Sequence, residues 1–176
     1  GVRLPPEVIF VDPSSGKLHL ENPKHGRISR FSYDAFPLFW RLAVDAEWYS
    51  RMQSPLRQAA LRFFQEEWKT HGRLYDEYNT TGRPAGKRFE GLPLYATVHS
   101  LAMVEDPLLA REIRTQKLTH LYNNALRDLS TPYYLQNWLW FDRALELKVA
   151  RTHSEFLSFL RPFDFKSFSL HFPWIE

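Results

Sequence analysis

Ser32-Tyr33-Asp34-Ala35-Phe36-Pro37-Leu38-Phe39-Trp40-Arg41 is where this 176-residue chain turns helical. Phe36, Phe39, Trp40, Ala43 and Val44 follow i, i+3, i+4, i+7, i+8 spacing, which lays one apolar stripe along a helix. Proline is best tolerated in a first helical turn, so Pro37 marks the start. Asp34 then falls at or just before the helix N-terminus.

Three later helices announce themselves by a capping residue followed by proline: Ser54-Pro55, Asp106-Pro107 and Thr131-Pro132. The helix from Pro55 presents Leu56, Ala59, Ala60, Phe63 and Phe64 on one side and stops near Gly72. Pro93 to Val104 fits another helix, with Leu94, Val98, Leu101 and Ala102 inward, and the helix from Thr131 carries Leu135, Trp138, Leu139 and Leu145. Upstream, Val8-Ile9-Phe10-Val11 reads as a short strand leading into the turn Asp12 to Gly16. Between Gly72 and Gly91 a polar stretch reads as a loop or small hairpin, with Tyr75 and Tyr78 as candidate exposed aromatics. The expectation is all-α: about six helices, short turns, one long loop and hardly any sheet. Successive helix pairs of this kind suit a toroidal or solenoidal array.

Aromatic residues make up 16% of the chain, a high fraction, so much of the excess is expected to be buried or to line a binding cleft. The net charge of +3 is spread among intermixed acidic and basic residues. With no basic block or recognition motif, nucleic acid is not an expected partner. The lack of cysteine excludes disulfides and thiolate metal sites, and no apolar run approaches the roughly 20 residues that span a bilayer. The sequence opens at Gly1-Val2-Arg3 and is read as a processed or partial product, so its lack of a signal peptide decides nothing about targeting. Residues 151–176 crowd Phe156, Phe159, Phe163, Phe165, Phe168 and Phe172 ahead of Pro173-Trp174. They are expected to pack on the rest of the chain rather than stay in water.

No phosphate-binding glycine loop, Gly-x-Ser-x-Gly elbow or His-Glu-x-x-His occurs, and the histidines lack ligand spacing. Neither a metal nor an organic cofactor is expected. Asp34 has an ordinary reading as a cap or helix-dipole partner, stabilising by roughly 0.3–1 kcal/mol. The same field favours an ionised carboxylate, which is what a general base needs. Tyr33 beside it offers a flat apolar face and a hydroxyl, suited to a sugar ring or simply to packing.

Tyr33-Asp34-Ala35-Phe36 with Trp40-Arg41 and Asp45 resembles the Tyr-Asp-Ala-(Ile/Phe)-Arg-Val-Pro-Trp-Arg segment of glycoside hydrolase family 8. Leu4-Pro5-Pro6-Glu7-Val8 and Val11-Asp12-Pro13 are similar to the stretch ahead of that motif, and Thr131-Pro132-Tyr133-Tyr134 to the family's late Tyr-Tyr segment. The resemblance implies the C-terminal half of an (α/α)6 barrel: residues 1–31 an irregular lead-in, 32–148 the helical half, 149–176 the Phe-rich tail. It implies inverting hydrolysis of internal β-1,4 bonds in cellulose or a related polysaccharide, in a periplasmic or extracellular setting. Asp34 matches the catalytic base, Tyr33 a tyrosine of the substrate cleft, and Tyr133 another. The family's acid, a glutamate in a Glu-Gly-x-x-Tyr-Gly setting, has no counterpart here, so an N-terminal half is the expected partner. Pro37 stands where the family usually has arginine. Glu90, Glu47 and Asp76 are conceivable substitutes for the acid, although surface solvation is the ordinary role of such residues.

Overall fold

The computed structural model describes residues 4–21, 28–49, 54–124 and 130–147. The described chain is mostly helical, as expected. Its lead-in holds β1 (Phe10–Val11) and β2 (Leu18–His19), an antiparallel ribbon in which Phe10 faces His19 and Val11 faces Leu18. A 3-10 turn, Tyr33–Ala35, then precedes α1 (Pro37–Trp48), α2 (Pro55–His71), α3 (Leu92–Glu105), α4 (Pro107–Ile113), α5 (Thr119–Asn124) and α6 (Tyr133–Glu146). The Phe-rich tail lies outside the described residues.

Pro37 is the first residue of α1, and Phe36, Phe39, Ala43 and Val44 are buried along the stripe that their spacing announces. Gly72 closes α2 in the left-handed region, at φ 61°, a conformation that glycine adopts without steric cost. The inward face of α2 differs from expectation. Leu61, Phe63, Phe64 and Trp68 are buried, but Leu56 is 66% exposed and Ala59 faces solvent. Arg57 takes the inward position instead, because its guanidinium Nε donates to Glu105 of α3 at 2.6 Å. That charge-assisted bond orients the first turn and swings Leu56 outward.

The centre of the bundle is α3. Every residue from Pro93 to Ala102 is buried, so this helix has no solvent face. It is flanked by α1 and α6, and α2 and α4 pack against it as well. Asp106 caps α4 by accepting from the Leu109 N–H at 3.1 Å. A π-helical turn, Arg114–Leu118, then carries the chain into α5. Helix α6 starts after Pro132, which serves as its N-cap rather than its first residue, one position later than the cap-proline signal places it.

Tyr75 and Tyr78, expected to be exposed, are 6% and 0% exposed. The 72–91 loop is therefore a packed strap. Tyr78 and Phe31 exchange both backbone hydrogen bonds at 2.9 Å, which draws the loop under the lead-in. The Tyr78 ring joins Phe31, Phe36, Phe39, Phe63 and Phe64 in an aromatic core with neighbouring centroids 5.0–6.4 Å apart, mostly tilted or edge-on. Its hydroxyl accepts from the Tyr75 N–H at 2.8 Å and donates to Glu67 at 3.3 Å, so the polar end is also satisfied.

The strap ends at Gly91, where a Cβ would lie 2.8 Å from the Tyr75 carbonyl oxygen. Because the obstacle is backbone, Gly91→Ala is expected to cost about 1–3 kcal/mol. Urea unfolding should show a lower midpoint at an unchanged m-value.

Candidate functional site

Tyr33 and Asp34 sit in the 3-10 turn, closed by the Ala35 N–H donating to the Ser32 carbonyl at 2.9 Å. That turn moves Asp34 off the end of α1, whose N-cap is Phe36 with no side-chain cap bond. Asp34 is exposed, and its carboxylate has no hydrogen-bond or ion-pair partner among the described residues. It is not the cap that its position near a helix start suggests.

Tyr33 is 44% exposed, and its ring rests on Phe36 at 5.4 Å and edge-on against Tyr134 at 5.5 Å. The Tyr134 hydroxyl donates to the Tyr33 carbonyl, so α6 holds the turn from 101 residues away. Tyr133, the residue carried over by resemblance, stands at the same helix start and is 48% exposed. The ring packed on Tyr33 is its neighbour. Sequence order alone did not separate the two. A helix start exposes one of two successive residues and turns the other inward, and the 3.6-residue period of α6 puts Tyr134 on the side of Trp138, at 6.1 Å.

The lead-in adds a second carboxylate. The Glu7 N–H donates to the Arg30 carbonyl at 2.7 Å, and the Ser32 hydroxyl donates to the Glu7 carboxylate. Arg30 forms an ion pair with Glu77 from the strap. Together with Val8 and Phe10 these groups line a cavity of about 400 Å³ next to the Tyr33 turn. Burial, followed by the negative charges of Asp76 and Glu77, pushes the Tyr33 hydroxyl pKa up. Burial chiefly, with Asp34 and Glu7 adding to it, pushes that of Tyr134 up to about 12. Four carboxylates thus act on two tyrosines, and both tyrosines stay neutral donors at ordinary pH.

Of the conceivable partner carboxylates, Glu90 is taken up by Lys117 at 2.9 Å and by the Tyr95 hydroxyl at 3.1 Å. Glu47 lies ten residues past Pro37 on α1, about 15 Å along the axis, beyond the span across which two carboxyl groups share a glycosidic bond. Asp76 does act on the site. Its Oδ1 is buried without a hydrogen-bond partner, and burial, with Glu77 adding to it, pushes its pKa up.

A second polar cluster invites comparison with a hydrolytic triad. His99 Nδ1 lies 2.9 Å from both Asp142 oxygens, and the Ser100 hydroxyl donates to Asp142 at 2.6 Å, as the Tyr122 hydroxyl also does. The serine is bonded to the aspartate and not to the histidine, and all four side chains are buried. This arrangement generates no nucleophile; it stitches α3, α5 and α6 together. Among the described residues no group of three or more His, Cys, Asp or Glu is placed to hold a metal ion, and no helix is long and apolar enough to cross a membrane.

No family model matches the chain, and no curated protein or solved structure matches it either.

Above its raised pKa, Asp76 carries a charge with one desolvated oxygen, and Asp76→Asn removes that charge. The variant is expected to be more stable than the parent near neutral pH, by on the order of 1 kcal/mol. Folded Asp76 takes up its proton at higher pH than the unfolded chain does, so the advantage should shrink as pH falls through the folded pKa. It should vanish below the ordinary aspartate value of 3.8. Thermal melts of both proteins across that range check the sign.

Proposed function

We propose that this chain is the base-bearing half of a family 8-like glycoside hydrolase, acting on internal β-1,4 bonds of cellulose or a related polysaccharide. The observation that carries the reading is Asp34: an exposed carboxylate with no partner among the described residues, beside Tyr33 and Tyr134, on a turn that prevents it from capping α1. A carboxylate used by the fold would be hydrogen-bonded, whereas one that activates a water must be free to accept its proton. The flat rings of Tyr33 and Tyr134 and the adjacent cavity suit a sugar. The packing of α1, α2, α4 and α6 on α3 supports the all-α part of this reading.

In this reading Asp34 deprotonates the attacking water, and Tyr33 orients the sugar whose anomeric carbon is attacked. A glutamate on an N-terminal half, its carboxyl roughly 6.5–9.5 Å from that of Asp34 to leave room for the water, protonates the leaving oxygen. The product inverts its anomeric configuration. The substrate is extracellular or periplasmic polysaccharide.

A second reading has its own observation. Pro37, as the first residue of α1, supplies helix geometry but no cation where the family usually has arginine. A protein that binds glycan without cleaving it would tolerate that change.

The test joins this chain to an N-terminal half carrying the glutamate motif and uses a soluble β-glucan. Hydrolysis with an α-configured product, seen by NMR, is expected. Asp34→Asn should lower kcat by at least about 10³-fold while binding stays within a few-fold. Unchanged turnover in Asp34→Asn would remove the role given to that residue. Binding without cleavage by the wild-type assembly would favour the second reading.

A further inference from the structure

The turn of the strap, residues 79–83, is built around one side-chain oxygen. Asn79 Oδ1 accepts from the Thr81 N–H at 3.0 Å, the Thr81 hydroxyl at 2.8 Å and the Arg83 N–H at 2.9 Å. The Asn79 carbonyl accepts from the Gly82 N–H, and its own N–H donates to the Arg83 carbonyl, both at 2.9 Å. Asp12 organises the turn of the lead-in ribbon in the same way, its Oδ1 accepting from the Ser14 N–H, the Ser14 hydroxyl and the Ser15 N–H. A carboxylate therefore does this job elsewhere in the fold, and an ionised acceptor makes the stronger bonds. What asparagine adds at position 79 is an amide nitrogen. Its Nδ2 has no hydrogen-bond partner among the described residues and is not sealed from water. Asn79 is half-buried, and Thr81 and Arg83 are exposed.

Asn79-Thr80-Thr81 is also an Asn-x-Thr triplet without proline at x, the acceptor pattern for N-linked glycans. No other asparagine of the chain stands in one. In that chemistry the amide nitrogen receives the sugar, and the hydroxyl two positions on is the group that the transferase reads. The strap presents both on one surface turn, where a bulky glycan has room. We propose that Asn79 Nδ2 is a glycosylation site, taking an oligosaccharide from a lipid-diphosphate donor. The three hydrogen bonds on Oδ1 draw electron density toward the oxygen and make the Nδ2 protons easier to remove. A base of the transferase takes one proton as the nitrogen bonds to C1 of the sugar. The C1–O bond breaks, and its electron pair leaves on the diphosphate. The product keeps one amide N–H and the Oδ1 acceptor, so no described hydrogen bond of the turn is lost. The assignment rests on the glycosidase reading for its exported setting alone, and uses neither Asp34 nor hydrolysis.

The test expresses the full chain behind a secretion signal in a eukaryotic cell and examines it from lysate and medium alike. One glycan is expected. A peptide N-glycanase should remove it and leave aspartate at position 79, read in the mass of that peptide. Asn79→Gln and Thr81→Ala should abolish the modification, and Thr81→Ser should retain it. An unmodified parent chain, or a glycan that persists in Thr81→Ala, overturns the assignment. Hydrogen exchange reads whether the folded turn holds the sugar: amides of α3 should keep the protection that they have in the unmodified chain. Loss of that protection on glycosylation overturns the assignment as well. No arm reads cleavage of a β-glucan, so failure here leaves the glycosidase reading standing, and failure of that reading leaves the glycan count unchanged.

Discussion

The placement of the Tyr33 turn and of the carboxylates around it depends on one antiparallel bridge, between Phe31 and Tyr78. Two backbone hydrogen bonds of 2.9 Å tie the end of the lead-in to the middle of the strap, and both rings enter the same aromatic core. Fixing Phe31 fixes Ser32, the residue that bonds Glu7 and opens the 3-10 turn. Fixing Tyr78 fixes Asp76 and Glu77, the carboxylates that act on Tyr33. Segments far apart in sequence therefore meet at Tyr33 for reasons of packing, and the charges arrive with them. A buried aromatic pair backed by two hydrogen bonds outweighs the repulsion among partly solvated carboxylates, which water and salt screen.

That order of strengths explains the electrostatic character of the site. Glu7 is stabilised by the Ser32 hydroxyl and Glu77 by Arg30, so each of these carboxylates has a local partner. Asp76 has a buried oxygen without one, and Asp34 has none among the described residues. Both lie beside the same tyrosine, Asp34 as its neighbour in the 3-10 turn and Asp76 through its charge. Neither is held by another side chain through a described hydrogen bond of its carboxylate. Buried or free polar groups that the fold does not need are where function is sought.

How far the sequence told this in advance differs from element to element. The stripe of α1 was legible because one face is apolar and Pro37 sits where proline starts a helix. Gly72 and Asp106 were legible because an αL residue and a side-chain acceptor have local signatures. Helix α3 was recognised as a helix, but not as one buried on all sides. Its polar residues, Thr97, His99 and Ser100, look solvated until Leu94, Asp142 and Ala96 supply their bonds. Tyr78 and Leu56 differ from expectation because the deciding partner lies elsewhere in the chain, Phe31 for the tyrosine and, through Arg57, Glu105 for the leucine, and Tyr75 follows Tyr78, whose ring lies 5.9 Å from its own. Asp34 and Tyr33 were visible as a pair, whereas Tyr134 was visible only as one of two successive tyrosines.

The 3-10 turn gives the Asp34 assignment its physical content. Had α1 begun directly after Asp34, its carboxylate would accept from the N–H groups of the first turn and be consumed as a cap. The turn inserts Ala35 and Phe36 instead, with the Phe36 N–H already given to the Tyr33 carbonyl at 3.3 Å. Pro37, the next residue, has no N–H to give. Asp34 is thus denied the nearest donors by backbone geometry on one side and by proline on the other. Pro37 thus helps keep the Asp34 carboxylate free. Under the proposed reading, Pro37 therefore does not by itself argue for a dead site: lacking the arginine that the reading expects there would weaken the hold on an anionic base, while lacking the N–H would preserve the lone pairs with which that base would take a proton from water.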